Sequence, residues 1–247
     1  MKLLKYFLII LIFCSGQNVV YAQNIALPKK IDLFQYIVPK GVIYDYAHPY
    51  NDIYGFPDVR VWGWSTKGKI AYSSERNIEG RGGVSIQFII FDLVEDRIDF
   101  EIDIDSNDYK IDEFKENTIM YLYNLNSKDI NNAISKNNIV HKENIYSSLP
   151  GKIKNVNYSC HANIEYEDAP EFYDKIKEYS IIVNRNNKSK TVKTSADVEA
   201  ISVYICGYFK SPFEDRILIV TAEERAGFEG TELYYYFVGC HLERGFN

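Results

Sequence analysis

The sequence has few of the residues and motifs that identify an enzyme by inspection. Its 247 residues include only four cysteines, four histidines and two tryptophans. It contains no Gly-x-Ser-x-Gly nucleophile elbow, and no glycine-rich loop that would hold a phosphate group between a strand and a helix. These absences argue against an α/β-hydrolase and against a nucleotide-binding enzyme, and we predict no cofactor.

Long apolar runs are also lacking, and the one at the N-terminus is too short to span a bilayer. Residues 6–14 are apolar, follow Lys2 and Lys5, and lead through a polar stretch to Ala22. This order is typical of a secretory signal peptide, whereas a spanning helix needs about 20 apolar residues. We predict a signal peptide over residues 1–22, cleaved near Ala22, and a mature protein that is periplasmic or secreted.

Two other interpretations of the N-terminus remain open. A lipoprotein anchored through Cys14 would need a small residue before the cysteine, where Phe13 stands. Retention as an uncleaved anchor is disfavoured because the apolar run is short. We expect no transmembrane segment in the mature chain.

The balance of charge excludes some partners. The chain has 28 Lys and Arg against 34 Asp and Glu, a net charge of −6, and loss of Lys2 and Lys5 would bring it to −8. An acidic protein is not drawn by long-range attraction to nucleic acid or to an anionic membrane. We therefore predict an unidentified protein or small ligand as the partner, and no nucleic acid.

Three cysteines follow the predicted cleavage site: Cys160, Cys206 and Cys240. An oxidising compartment would allow one disulfide, Cys160–Cys240 or Cys206–Cys240, and leave one thiol. Two of the cysteines precede a histidine, but neighbours on a strand point to opposite faces and cannot share a metal ion without a bulge. We predict no metal site, and a fold that depends on its hydrophobic core.

Alternating apolar residues predict a mainly β protein with one or two short helices inserted in the middle. The clearest helix is residues 127–137, while periodicity does not decide between helix and strand for residues 118–124. The strands should form antiparallel meanders, arranged as a β-sandwich or a partial propeller-like fold, in a single domain over residues 23–247. The predicted strands are residues 59–64, 69–74, 82–93, 97–105, 153–166, 179–184, 189–194, 201–208, 216–221 and 233–242.

Two segments, residues 59–93 and 203–242, look like copies of one three-stranded meander. Each has a glycine followed by an aromatic residue, Gly63-Trp64 and Gly207-Tyr208, then a polar turn and an apolar strand. Each also has a nine-residue segment with Arg and Glu, residues 75–83 and 223–231. We predict that both nine-residue segments are loops between strands.

These two predicted loops supply the candidate site. Arginine can bind a carboxylate or a sugar through its forked donors, and paired acids could support a hydrolase that acts on glycan or peptide. A structural interpretation competes, in which glycines form the turns and charges keep the loops solvated. We favour a non-catalytic binding or envelope-associated module over the hydrolase. The candidate binding residues are Arg76, Glu79, Arg81, Glu224, Arg225 and Glu229.

Two further patterns have both a functional and a structural interpretation. Asp99, Glu101, Asp103 and Asp105 alternate with apolar residues, as on a half-exposed strand. They could contribute to an irregular calcium site, or protect an edge strand from aggregation. The aromatic residues 234–236 could stack on sugars, although in a β protein such residues are usually part of the core.

Residues 62–74, "WGWSTKGKIAYSS", resemble the inner strands of TolB-type β-propeller blades. This early hairpin and the Gly227-Phe-Glu-Gly230 turn are together similar to a family of predicted secreted bacterial proteins of unknown function. The resemblance covers two short segments. It implies export and a β-rich fold, and it carries no catalytic residues.

Overall fold

The computed structural model describes residues 25–31, 33, 53–55, 57–78, 80–111, 116–142, 146–167, 175–196, 198–227 and 230–247. The predicted signal peptide and two predicted site residues, Glu79 and Glu229, lie outside these ranges. Within them the chain is mainly β and has two short α-helices, as the sequence predicts. Neither described helix has the length and apolar character needed to cross a membrane.

The strands are, in chain order, β1 (Lys30–Ile31), β2 (Ile53–Gly55), β3 (Asp58–Trp64), β4 (Lys69–Asn77), β5 (Val84–Asp92), β6 (Arg97–Asp105), β7 (Tyr146–Ser147), β8 (Gly151–Ile153), β9 (Val156–Tyr166), β10 (Ile176–Arg185), β11 (Lys188–Ala196), β12 (Ser202–Lys210), β13 (Arg216–Ala226) and β14 (Thr231–His241). The helices are α1 (Glu116–Leu125) and α2 (Ser127–Lys136), and both follow β6.

The strands form three sheets. Sheet I has the order β1-β3-β4-β5-β6, sheet II has β2-β14-β13-β12-β7, and sheet III has β11-β10-β9-β8. Every described pairing is antiparallel except that of β14 with β2, which is parallel. The predicted hairpins and meanders therefore account for most of the topology.

Sheets I and II pack face to face. Val61, Tyr72 and Phe91 of sheet I share one hydrophobic core with Leu218 and Phe237 of sheet II. The rings of Tyr72 and Phe237 lie 4.0 Å apart between centroids. Burial of such side chains stabilises the fold by about 1.5–3 kcal/mol each, so this layer holds the two sheets together.

The other face of each sheet is also covered. Helices α1 and α2 place Ile119, Leu122 and Ile130 against sheet I, where Ile86 and Phe88 are fully buried. Residues 118–124, for which periodicity did not decide between helix and strand, lie in helix α1. On its far side, sheet II packs against sheet III through another hydrophobic core. This core includes Tyr158, Val183, Ile217, Ile219 and Val238.

The first strands of the two predicted meanders share a bulge at a glycine. The β3–β4 register shifts between Val61 and Gly63, and the β12–β13 register shifts between Ile205 and Gly207. Both glycines have positive φ, 155° and 148°. A methyl group at Gly207 would lie 2.5 Å from the carbonyl oxygen of Ser147, and one at Gly63 would collide with that of Val140. The meanders share this geometry, and their origin by duplication stays a prediction.

One prediction about these meanders is wrong in part. The segments 75–83 and 223–231 each contain the connection between two strands, but their first residues are strand, because β4 continues to Asn77 and β13 continues to Ala226. Glu75, Glu223 and Glu224 are 1%, 2% and 5% exposed. Their partners are Arg, Tyr and Thr side chains of the protein itself, so these charges do not serve to solvate a loop.

Candidate binding groove

The face of sheet I that meets sheet II is apolar at one end and polar at the other. Along β4, Ile70 and Tyr72 enter the core between the sheets, whereas Ser74 and Arg76 continue the same face by strand alternation. Along β5 the matching cross-strand positions are occupied by Gln87 and Ser85. The two sheets therefore stop sharing an apolar core at this end.

A cavity of about 250 Å³ opens where the face becomes polar. Sheet I supplies one wall with Arg76 and neutral polar side chains, and the other wall comes from the aromatic run of β14. We call this cavity the Arg76 groove. It is lined by Pro57, Ser74, Arg76, Ser85, Gln87, Asp103, Tyr234, Tyr235 and Tyr236.

Two of the arginines predicted from the sequence meet in this region. The guanidinium carbon of Arg76 lies 4.7 Å from the ring centroid of Tyr234, and that of Arg225 lies 4.8 Å from the same centroid. Each such cation–π contact stabilises by about 0.5–1 kcal/mol at exposed sites and by more when desolvated. Tyr234 thus links the two segments that the sequence analysis singled out.

The cation–π contacts continue toward sheet III. The guanidinium carbon of Arg225 lies 5.9 Å from the ring centroid of Tyr236, and Nζ of Lys193 lies 4.4 Å from the same centroid. Lys193 also lies 5.8 Å from the centroid of Tyr179. Partial burial lowers the pKa of Lys193. Tyr234 and Tyr236 are therefore in contact with cations from three strands, and the stacking of a sugar on residues 234–236 stays a prediction.

Arg225 is held by an internal acid. Its Nη2 donates to Glu223 Oε2 at 2.6 Å and to the Tyr236 hydroxyl at 2.7 Å. Tyr179 donates to the other carboxylate oxygen of Glu223 at 2.6 Å. Burial, followed by this hydrogen bond, raises the pKa of Tyr179. Both oxygens of Glu223 are used within the protein, so the Arg225 cluster is structural.

Arg76 differs from Arg225 in its partners. Among the described residues it has no carboxylate partner; its guanidinium lies over the ring of Tyr234 and hydrogen-bonds the hydroxyl of the same residue. A guanidinium has five N–H donors, so the contacts with Tyr234 leave others able to bind an acceptor in the groove. Arg76 is therefore oriented by the protein without being neutralised by it.

The other predicted site residues do not join the groove. Arg81 is ion-paired with Asp105, and its side chain is 60% exposed. Glu224 is buried and accepts hydrogen bonds from Tyr204 at 2.5 Å and Thr231 at 2.7 Å. Glu79 and Glu229 lie outside the described residues, so the convergence of carboxylates that the hydrolase requires stays a prediction.

Sequence reasoning missed the neutral part of the groove. Ser74, Ser85 and Gln87 are polar residues on a strand face that is apolar elsewhere, which an alternation analysis of β4 and β5 could have detected. It also missed that this face lies opposite β14 across the cavity, because local sequence patterns do not show how two separate sheets pack.

The cysteines are free thiols in the described structure. Cys160 and Cys240 border the core between sheets II and III, whereas Cys206 lies in the core between sheets I and II. Burial raises the pKa of Cys160 to about 12. Of the two predicted disulfides, only Cys160–Cys240 lies within one layer, and it stays a prediction. The described residues contain no group of three or more His, Cys, Asp or Glu positioned to hold a metal ion.

A larger cleft, of about 1050 Å³, lies between the segment around Ile25 and helix α2. Its walls are largely aliphatic, with Lys29, His141 and Lys142 among its polar residues. None of the described residues that line this cleft is acidic, whereas the Arg76 groove brings an arginine and an aspartate into one cavity.

Comparison of the chain with protein-family models, with curated proteins and with solved structures finds no match. The function must therefore be argued from the groove itself.

Proposed function

We propose that the protein is an exported, non-catalytic binding module that holds a small ligand in the Arg76 groove. The observation that carries this proposal is the change of the inner face of sheet I from apolar to polar where the cavity opens. A face committed only to packing would continue the apolar pattern of Ile70 and Tyr72.

The chemistry of the groove supports binding rather than catalysis. Its lining consists of one arginine, one aspartate, neutral polar groups and tyrosines. General acid–base hydrolysis of a glycan needs two positioned carboxyl groups, and Asp103 is the one acid among the described residues that line the groove. Hydrogen-bond donors and acceptors on a rigid sheet are sufficient for recognition.

Export is part of the proposal and rests on the signal-like N-terminus. An exported binding module would meet its ligand outside the cytoplasm, in the periplasm or the medium. Expression with the native leader should yield a secreted or periplasmic protein whose first residue is Gln23. N-terminal sequencing of the recovered protein tests this, and an intact Met1 would contradict it.

The binding proposal is tested on that recovered protein by a fragment screen followed by NMR. We expect hits to shift the amide signals of β4, β5 and the residues 234–236 while those of sheet III stay in place. Hits that map only to other surfaces would contradict the proposal. A hydrolase would be indicated instead by turnover of a glycan or peptide substrate that is lost in Asp103→Asn.

A further inference from the structure

We infer that the ligand of the Arg76 groove is a small dipolar molecule, with a carboxylate held by Arg76 and an ammonium group held by Asp103. This inference rests on the proposed function and names the chemistry of its ligand. It follows from two opposite charges that line one cavity and are not neutralised by any described residue.

The carboxylate end is assigned to Arg76. Its guanidinium carbon lies 4.7 Å from the ring centroid of Tyr234 and the group also hydrogen-bonds that hydroxyl, which orients Arg76 while leaving other N–H donors for a ligand. A guanidinium and a carboxylate form two parallel hydrogen bonds, stronger than those between neutral groups. Arg225 is not assigned this role because its Nε and Nη2 already donate to Glu223, whose carboxylate neutralises it.

The ammonium end is assigned to Asp103 on β6, an exposed position at the margin of the groove. Asp103 is the member of the acidic series on β6 that has no hydrogen bond or ion pair with a described residue. The other three acids are partnered: Asp99 with Lys69, Glu101 with Gln87, and Asp105 with Arg81.

The separation of the two charges defines the ligand. Arg76 is paired in register with Ser85, and Asp103 with Gln87, so β5 lies between the strands that carry the charges. Two strand spacings across the sheet and two residues along the strands put their Cα atoms about 12 Å apart, so a ligand that reaches both side chains needs its own charges several ångströms apart. Because Gln87 donates its amide to Glu101 at 2.6 Å, its carbonyl oxygen is left to accept from an ammonium group.

Size and charge exclude other ligands. The cavity, about 250 Å³, is smaller than the sites that hold drug-sized molecules. A simple anion would be attracted by Arg76 but repelled by Asp103. A simple cation would be attracted by Asp103 but repelled by Arg76. A compact molecule with both charges several ångströms apart satisfies both groups at once.

A series of ω-amino acids, which differ in the distance between their ammonium and carboxylate groups, tests the inference. Glycine, 4-aminobutyrate and 6-aminohexanoate are titrated into the full recovered protein, with hexanoate and hexylamine as singly charged controls. We expect 6-aminohexanoate to bind at least about tenfold more tightly than glycine and than either control, because charge-assisted hydrogen bonds form at both ends. Equal binding of hexanoate and 6-aminohexanoate would overturn the inference.

Matched variants assign the ends. Arg76→Gln and Asp103→Asn should each weaken 6-aminohexanoate binding at least about tenfold. Arg244→Gln and Asp108→Asn, at exposed charges that do not line the groove, should leave it unchanged. Circular dichroism and thermal unfolding verify that each variant is folded. A loss confined to Arg76→Gln would overturn the dipolar assignment in favour of an anion site.

The same data separate this inference from the proposed function. If fragments shift the groove signals but no ω-amino acid does, the dipolar ligand is wrong and the binding module stands. If neither fragments nor ω-amino acids reach the groove, both are wrong.

Discussion

Glu75 and Arg76 are adjacent in β4, yet their surroundings are opposite. Glu75 is 1% exposed and faces the helices, where it accepts from Arg60 Nε at 2.6 Å and from the Tyr123 hydroxyl at 2.8 Å. Ser73, on the same face, accepts from Trp62 at 2.9 Å. Arg76 faces a cavity and stacks on Tyr234 without a described carboxylate partner.

The comparison separates two uses of charge in one strand. A buried charge whose partners are all internal is part of the fold, because breaking the pair would leave an unpaired ion in the core. A charge that is oriented but not neutralised at a cavity can exchange water for a ligand at little structural cost. We therefore treat the Glu75 network as structural and Arg76 as functional.

The largest expected effect is on the structural side. Glu75→Ala should lower the free energy of unfolding by about 3–5 kcal/mol, because the buried Arg60 loses the carboxylate of Glu75. Urea denaturation measures this. Glu165→Ala, which removes an exposed ion pair with Lys177, is the matched control and should cost less than about 1 kcal/mol. Equal losses of stability in the two variants would contradict the structural role of the Glu75 network.

A smaller difference is expected between the two arginines that share Tyr234. Arg225→Gln should destabilise the protein by about 2 kcal/mol, because it takes a charged partner from buried Glu223. Arg76→Gln should cost less than about 0.5 kcal/mol, the range of surface substitutions. Denaturation of both variants under one condition is the measurement. A larger loss for Arg76→Gln would make Arg76 structural.

Alkaline pH should act on the Glu75 network through Tyr123. Burial and the nearby Glu75 carboxylate raise the pKa of Tyr123 well above the 10.0 of an unfolded chain. The stability that Tyr123 contributes is then present below pH 10 and is lost as pH rises, by about 1.4 kcal/mol per pH unit. Tyr123→Phe should make the alkaline loss shallower than in the wild type. Tyr166→Phe, at an exposed tyrosine, is the control, and parallel pH profiles for all three proteins would contradict the assignment.

The sequence predicts much of the fold because its main signal is local alternation. The acidic series of β6 shows strict alternation, and Ile104 is buried on one face while Asp103 is exposed on the other. The hairpin turn at Asn186 was also predictable, since asparagine tolerates positive φ, here 52°. Predicted strands therefore lie close to those observed, although several extend further.

The site was harder to predict because the role of a charged residue depends on partners that are distant in sequence. Arg and Glu in a nine-residue segment looked like a solvated loop, but partners distant in sequence, Tyr123 and Tyr179, draw Glu75 and Glu223 into buried strands. The sequence identifies Arg76 and Arg225 as candidates. It does not show that both contact Tyr234, because that contact depends on how sheets I and II pack.

The central claim is that the polar end of sheet I is kept polar for a ligand and not for the fold. The most direct measurement is the free energy of unfolding of the double variant Arg76→Leu/Ser85→Val, which makes a cross-strand pair in the groove apolar. We predict equal or greater stability than in the wild type, since apolar and β-branched residues suit a half-buried strand. A loss of more than about 2 kcal/mol would contradict the claim and show that these polar groups support the fold.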